Sequence, residues 1–204
     1  MAAEAPHAVG FFGKIPARGD FVRASLPRSF IDPWDNWLSR VITESRDLLG
    51  TKWLPAWMEA PIWHFTLPAG QCGTAPVVGL WMPSIDAAGR HFPLTLARVG
   101  PLLPNMEDWL AAAENIGLDA LQYDLAPDDL VRQLNEIAQP DAPPAEEHAL
   151  AAWWTDGSPF VPATRLALAD LPDAATFAAM LHATPPDTGL AQPDVPRQAG
   201  GVRE

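Results

Sequence analysis

Residues 61–99 read PIWHFTLPAGQCGTAPVVGLWMPSIDAAGRHFPLTLARV. Three apolar runs stand out: 61–67 (PIWHFTL), 77–82 (VVGLWM) and 92–99 (FPLTLARV), rich in the β-branched and aromatic residues that suit a pleated surface. Pro83 closes the second run, and the turn 86–89 (DAAG) leads into the third. All three are predicted strands. The links between them are too short for a crossover helix, so the sheet they begin is mixed or largely antiparallel.

Upstream, 8–13 (AVGFFG) reads as a further short buried strand ended by Gly13, and 14–27 (KIPARGDFVRASLP) as a loop punctuated by Pro16, Gly19 and Pro27. A helix should follow. Phe30, Trp34, Trp37, Leu38, Val41 and Ile42 recur at three- and four-residue steps, Ser29 is placed to cap it, Pro33 falls in its first turn and Gly50 stops it. Trp53 and Trp57 flank Pro55 on a short helix that covers a core edge or leaves a partly exposed patch.

Downstream, 109–121 and 128–138 are predicted helices, with Asn105 or Glu107 near the first start and Pro127 before the second. Residues 149–154 are apolar and too short to decide between strand and helix. Residues 164–168 read as a strand, and 173–182 as a helix capped by Asp173. Between these parts, 139–147 (QPDAPPAEE) is an acidic, proline-rich linker, and 184–204 reads as a disordered tail. One domain is therefore expected over 1–183. Strands interleaved with helices point to an α/β fold, a sheet with helices on both faces.

Composition narrows the function. The 204 residues carry 13 Lys and Arg against 25 Asp and Glu, a net charge of −12. Nucleic-acid binding and anionic membrane surfaces are disfavoured, because both need a basic face. Charge is also uneven: up to Lys52 there are 7 basic and 6 acidic residues, and beyond it 6 basic and 19 acidic. That asymmetry is either ordinary solubility or a bipolar surface suited to docking a protein. The single cysteine, Cys72, cannot form an internal disulfide. No signal peptide or apolar run of membrane-spanning length is apparent, so a cytoplasmic protein without membrane insertion is expected.

Three chemical readings compete. Gly10, Gly13 and Lys14 after a strand suggest a phosphate loop, but the glycine spacing is wrong and Ile15 stands where Ser or Thr should follow the lysine. Ser84, Asp86, Arg90 and His91 suggest a hydrolase, yet Ser84 follows Pro83 rather than sitting in G-x-S-x-G. A turn is the simpler reading, with Ser84 or Asp86 satisfying backbone N–H groups and Arg90 paired to a carboxylate. The histidines are scattered, so no metal or other cofactor is expected, and His64, in an apolar strand, reads as a hydrogen-bonded structural residue. The loop bearing Lys14, Arg18, Asp20 and Arg23 remains: either a recognition surface or an internal ion-pair network in which Asp20 meets an arginine such as Arg90.

GFFGKIPARGDFVRASLP (10–27), the following FIDPWDNWLSRVI (30–42) and MPSIDAAGRHFPLTL (82–96) together resemble the TagF (ImpM) family of type VI secretion-associated proteins. The best-matched core runs over about 9–99. The resemblance implies a three-layer α/β/α sandwich and a non-enzymatic, cytoplasmic, post-translational repressor. It implies binding to the forkhead-associated-domain scaffold of that system, with a functional link to a threonine kinase and phosphatase pair. No catalytic residues come with it. Two alternatives are kept: a structural or assembly component of the secretion machine, and a hydrolase using Ser84 or Asp86.

Overall fold

A computed structural model describes residues 7–138, 143–145 and 149–183. The expected linker falls mostly, and the expected tail wholly, outside these residues. Seven strands form one sheet: β1 (Ala8–Gly13), β2 (Val22–Ala24), β3 (Trp63–Leu67), β4 (Val77–Met82), β5 (Leu94–Val99), β6 (Ala151–Thr155) and β7 (Thr164–Leu168). Their order is β2-β1-β5-β4-β3-β6-β7. Every pairing between them is antiparallel, so the mixed sheet allowed for by the sequence is corrected to an antiparallel one. β2 lies inside the stretch read as a loop; three residues with a single buried side chain leave no periodicity to detect. The ambiguous segment 149–154 contributes strand β6, decided by its pairing with β3 rather than by local propensity.

The helices are α1 (Arg28–Leu49), α2 (Trp53–Met58), α3 (Glu107–Gln122), α4 (Pro127–Glu136) and α5 (Ala174–Leu181). α1 begins at Arg28 with Pro27 at its N-cap and no side-chain cap, so Ser29 is inside the helix and Pro33 lies beyond its first turn. Gly50 ends it in a left-handed conformation (φ 53°). Asp173 caps α5 as expected, accepting the Thr176 N–H at 2.8 Å.

Strand alternation splits the core in two. On one face Phe12, Phe65, Trp81, Trp153 and their neighbours meet α1, α2 and α5. On the other, Phe11, Leu80, Leu94 and Leu96 meet α3 and α4. The first core is built on indoles: Trp34 lies against Phe30, Trp37, Phe65 and Trp153, with ring centroids 4.7–6.1 Å apart. Three of its indole N–H groups are tied across the fold, Trp34 to Thr95 Oγ1 (2.9 Å), Trp37 to the Pro172 carbonyl (2.7 Å) and Trp63 to the Met180 carbonyl (3.1 Å). Trp53 and Trp57 are buried as well, so α2 covers the core edge, with Leu54, Pro55 and Met58 facing outward.

Candidate functional site

The glycines of the first motif serve close packing of backbones. A Cβ on Gly10 would lie 2.0 Å from the Ala24 carbonyl oxygen of β2. One on Gly13, whose φ is +144°, would lie 2.0 Å from the Pro93 carbonyl oxygen. Gly13 thereby delivers the chain into the loop that carries Lys14 directly beside the 83–93 loop.

Lys14 is buried, at 6% exposure, and so is Asp86, at 2%. Lys14 Nζ donates to Asp86 Oδ2 at 2.8 Å, and Arg90 Nε donates to the same oxygen at 2.7 Å. Asp86 Oδ1 accepts the backbone N–H groups of Ala88 and Arg90, both at 2.9 Å. Four donors on one carboxylate hold Asp86 well below the usual carboxylate range, the Lys14 hydrogen bond foremost, against the opposing effect of burial. Arg90 also donates to the Gly19 carbonyl, and the Ala87 N–H donates to the Arg18 carbonyl at 2.9 Å, so the two loops are joined at several points. Phe21, Phe12 and Phe92 close over the network, with Lys14 Nζ 5.0 Å from the Phe21 ring centre.

The expected site residues therefore divide. Lys14, Ser84, Asp86 and Arg90 are brought together. Arg18 joins through its backbone; its exposed guanidinium reaches only the adjacent Ala17 carbonyl, at 3.2 Å. Asp20 does not pair with Arg90: it is exposed and accepts the Phe21 N–H at 2.8 Å, because Asp86 already holds that arginine. Arg23 is exposed on β2. Of the two readings left open for this loop, Lys14 follows the ion-pair network, with Asp86 rather than Asp20 as the acid; a lysine after a buried strand end looks the same in sequence whether it turns inward or outward.

Among the described residues the Ser84 hydroxyl is hydrogen-bonded to backbone, not to a base. It donates to the Lys14 carbonyl at 2.7 Å, and the Ser84 carbonyl accepts the Trp57 indole at 3.3 Å. His91 packs edge-on against Trp53 and Trp57; burial, then the nearby Arg46, pushes its pKa down. His64 is a structural histidine as expected: Nε2 lies 2.8 Å from Glu114 Oε2, and the ring stacks on Trp154. Sequence reading missed Glu114, because nothing local marks it as the partner of a residue 50 positions away. It also missed Phe21 as the lid of the ion pair, although all three phenylalanines lie in the two quoted motifs. Among the described residues no group of three or more His, Cys, Asp or Glu is placed to hold a metal ion. No helix among them is long and apolar enough to cross a membrane.

Comparison with known proteins bears on this geometry. Residues 10–137 match the model of the TagF N-terminal domain, type VI secretion system-associated. The crystal structure of PA0076 from Pseudomonas aeruginosa PAO1 is similar, with a TM-score of 0.78 and 29% identity over 96% of this chain and 100% of that one. A search of curated proteins finds no match. The matched span contains both loops and the whole Lys14–Asp86–Arg90 network, and on that match the chain belongs to the TagF N-terminal domain family of type VI secretion system-associated proteins.

Proposed function

We propose that this chain is a cytoplasmic negative regulator of type VI secretion that acts by binding the forkhead-associated-domain scaffold of that system, and that it is not an enzyme. The observation that carries the reading is the use made of the polar residues in the two motifs. Lys14, Ser84 and Asp86 are buried and spend their hydrogen bonds on each other and on backbone. Such a network braces two loops and leaves no nucleophile–base pair within them. Among what this edge offers to solvent are Arg18, Asp20, Arg23, Arg90 and the 44%-exposed Phe21, a mixture of charge and aromatic surface suited to protein contact. The two cores on opposite sheet faces support reading the whole as an α/β/α sandwich, a rigid platform for those loops.

Calorimetry of the chain against the cognate scaffold, unphosphorylated and phosphorylated, tests the proposal. Submillimolar binding weakened by Arg18→Glu or Arg23→Glu is the expected result, and a difference between the two scaffold forms would supply the kinase link. Absence of binding to both forms would sink the scaffold assignment.

A further inference from the structure

The sheet ends differently at its two edges. β2 is three residues long and α4 packs against it, so that edge is short and covered. β7 is five residues long, and its ladder to β6 runs unbroken from Thr164 to Leu168. Among the described residues no second strand pairs with β7. Beyond the β6 ladder its backbone has one hydrogen bond, the Gln71 amide on the Leu168 carbonyl at the strand's end, 3.3 Å long. The outer row of peptide groups over 164–167 is therefore unpaired within the chain.

The devices that usually blunt such an edge are missing. Residues 164–168 (TRLAL) hold no proline, glycine or lysine, and the register has no bulge. The strand's one charge leans inward: the Arg165 guanidinium stands 5.2 Å from the ring centre of Trp154, on β6. Leu166 and Leu168 pack against the first core yet stay half-buried, whereas β4 and β5 are buried throughout.

The order of residues along this edge selects its partner. Two copies pairing antiparallel are related by a two-fold axis. Centred on Leu166, that axis pairs all five residues: Leu166 with Leu166, Thr164 with Leu168, and Arg165 with Ala167. Each pair shares a face, the leucines continue the first core from one copy to the other, and no like charges meet. Centring on Arg165 sets two guanidinium groups opposite each other, and every other centre shortens the ladder.

From this unprotected and self-complementary edge we infer that β7 joins two copies of the chain, antiparallel, into one sheet of twice seven strands. A single five-residue ladder is small beside the roughly 1,200 Å² that stable interfaces bury, so the dimer is weak and concentration-dependent. β2 and β1, which flank the Lys14 loop, lie at the opposite edge, so the dimer presents two such loops at its far ends. The inference does not rest on the scaffold reading, and a scaffold that fails to bind leaves it standing.

Cysteine scanning of the full chain reads the register directly. The native Cys72 is 1% exposed and stays out of the reaction. Opposed residues have Cα atoms about 4.5–5.5 Å apart, within the span of about 4.4–6.8 Å that a disulfide bridges. With copper phenanthroline as oxidant, Leu166→Cys should give a disulfide-linked dimer on a non-reducing gel. Arg165→Cys and Ala167→Cys should each crosslink at least tenfold more slowly alone, yet crosslink readily when mixed. Sedimentation velocity of the parent chain should show dimer growing through the submillimolar range. Leu166→Lys, which opposes two like charges at the axis, should weaken that dimer at least tenfold with an unchanged circular dichroism spectrum. If that variant loses the parent's spectrum, the cysteine series decides alone. A monomer throughout the range, no crosslink at 166, equal crosslinking at 165 and 166, or a dimer untouched in folded Leu166→Lys would overturn the inference.

Discussion

Replacing Lys14 by methionine removes the charge while keeping a long side chain to pack under Phe21. Asp86 would then keep Arg90 and two backbone N–H donors but lose its one fully buried cation. Breaking a buried ion pair from one side typically costs about 3–5 kcal/mol, and the surviving donors place Lys14→Met at the low end, about 3 kcal/mol. An exposed loop lysine would give less than about 1 kcal/mol. For a chain of this size each kcal/mol lowers Tm by about 2–4 °C, so a fall of about 6–12 °C is expected. Urea unfolding followed by tryptophan fluorescence reads the difference, with an unchanged m-value showing that the transition keeps its character. Arg18→Glu, in the same assay, should move stability by no more than about 0.5 kcal/mol. A Lys14→Met midpoint within about 1 kcal/mol of the parent would refute the claim that this lysine braces the loops rather than greeting a partner.

Other outcomes follow from the same contacts. Thr95→Val keeps the shape but leaves the buried Trp34 N–H without its acceptor, and should destabilise by about 1–2 kcal/mol in the same urea titration. Gly10→Ala forces a Cβ into the Ala24 carbonyl, so the β2 amides should lose hydrogen-exchange protection before those of β4. The Asp86 carboxyl titrates below its ordinary value; its contribution is therefore complete above the unfolded carboxylate pKa of about 3.9 and is lost as pH falls through the folded value. Stability between pH 5 and pH 2 should drop less steeply in Asp86→Asn than in the parent. His91, depressed by burial, adds a milder loss as pH falls below about 6.5, which His91→Phe should remove.

Much of the sheet was legible because its central strands are buried on both faces and read as unbroken apolar runs. β4 and β7 match their predicted bounds, and β1 does too. The margins were less legible for a physical reason. β2 exists because Gly10 lets Ala24 approach, a tertiary condition that no three-residue window contains. At the loops, residue types and proximity in sequence identified Lys14, Asp86 and Arg90 as belonging to chemistry of charge, and Arg90 was rightly given a carboxylate partner. Which carboxylate, and which side of the surface Lys14 occupies, depend on the antiparallel register of β1 on β5, which brings Gly13 opposite Leu94.

Among the described residues, the last helix closes the core that the first helix opens. α5 supplies Phe177 against Trp37 and Trp81, and the carbonyls of Pro172 and Met180 receive the Trp37 and Trp63 indoles. When the ribosome has released residue 137, the span that defines the family is complete, yet its tryptophan-rich face still lacks this closure. At about 5–20 residues per second the remaining 46 residues to 183 take about 2–9 s. During that interval the face that α5 closes is left open in the nascent chain, and nonsense or frameshift lesions after residue 137 would leave it so. Quality control, rather than the loops, would then decide whether the cell accumulates any of this protein at all.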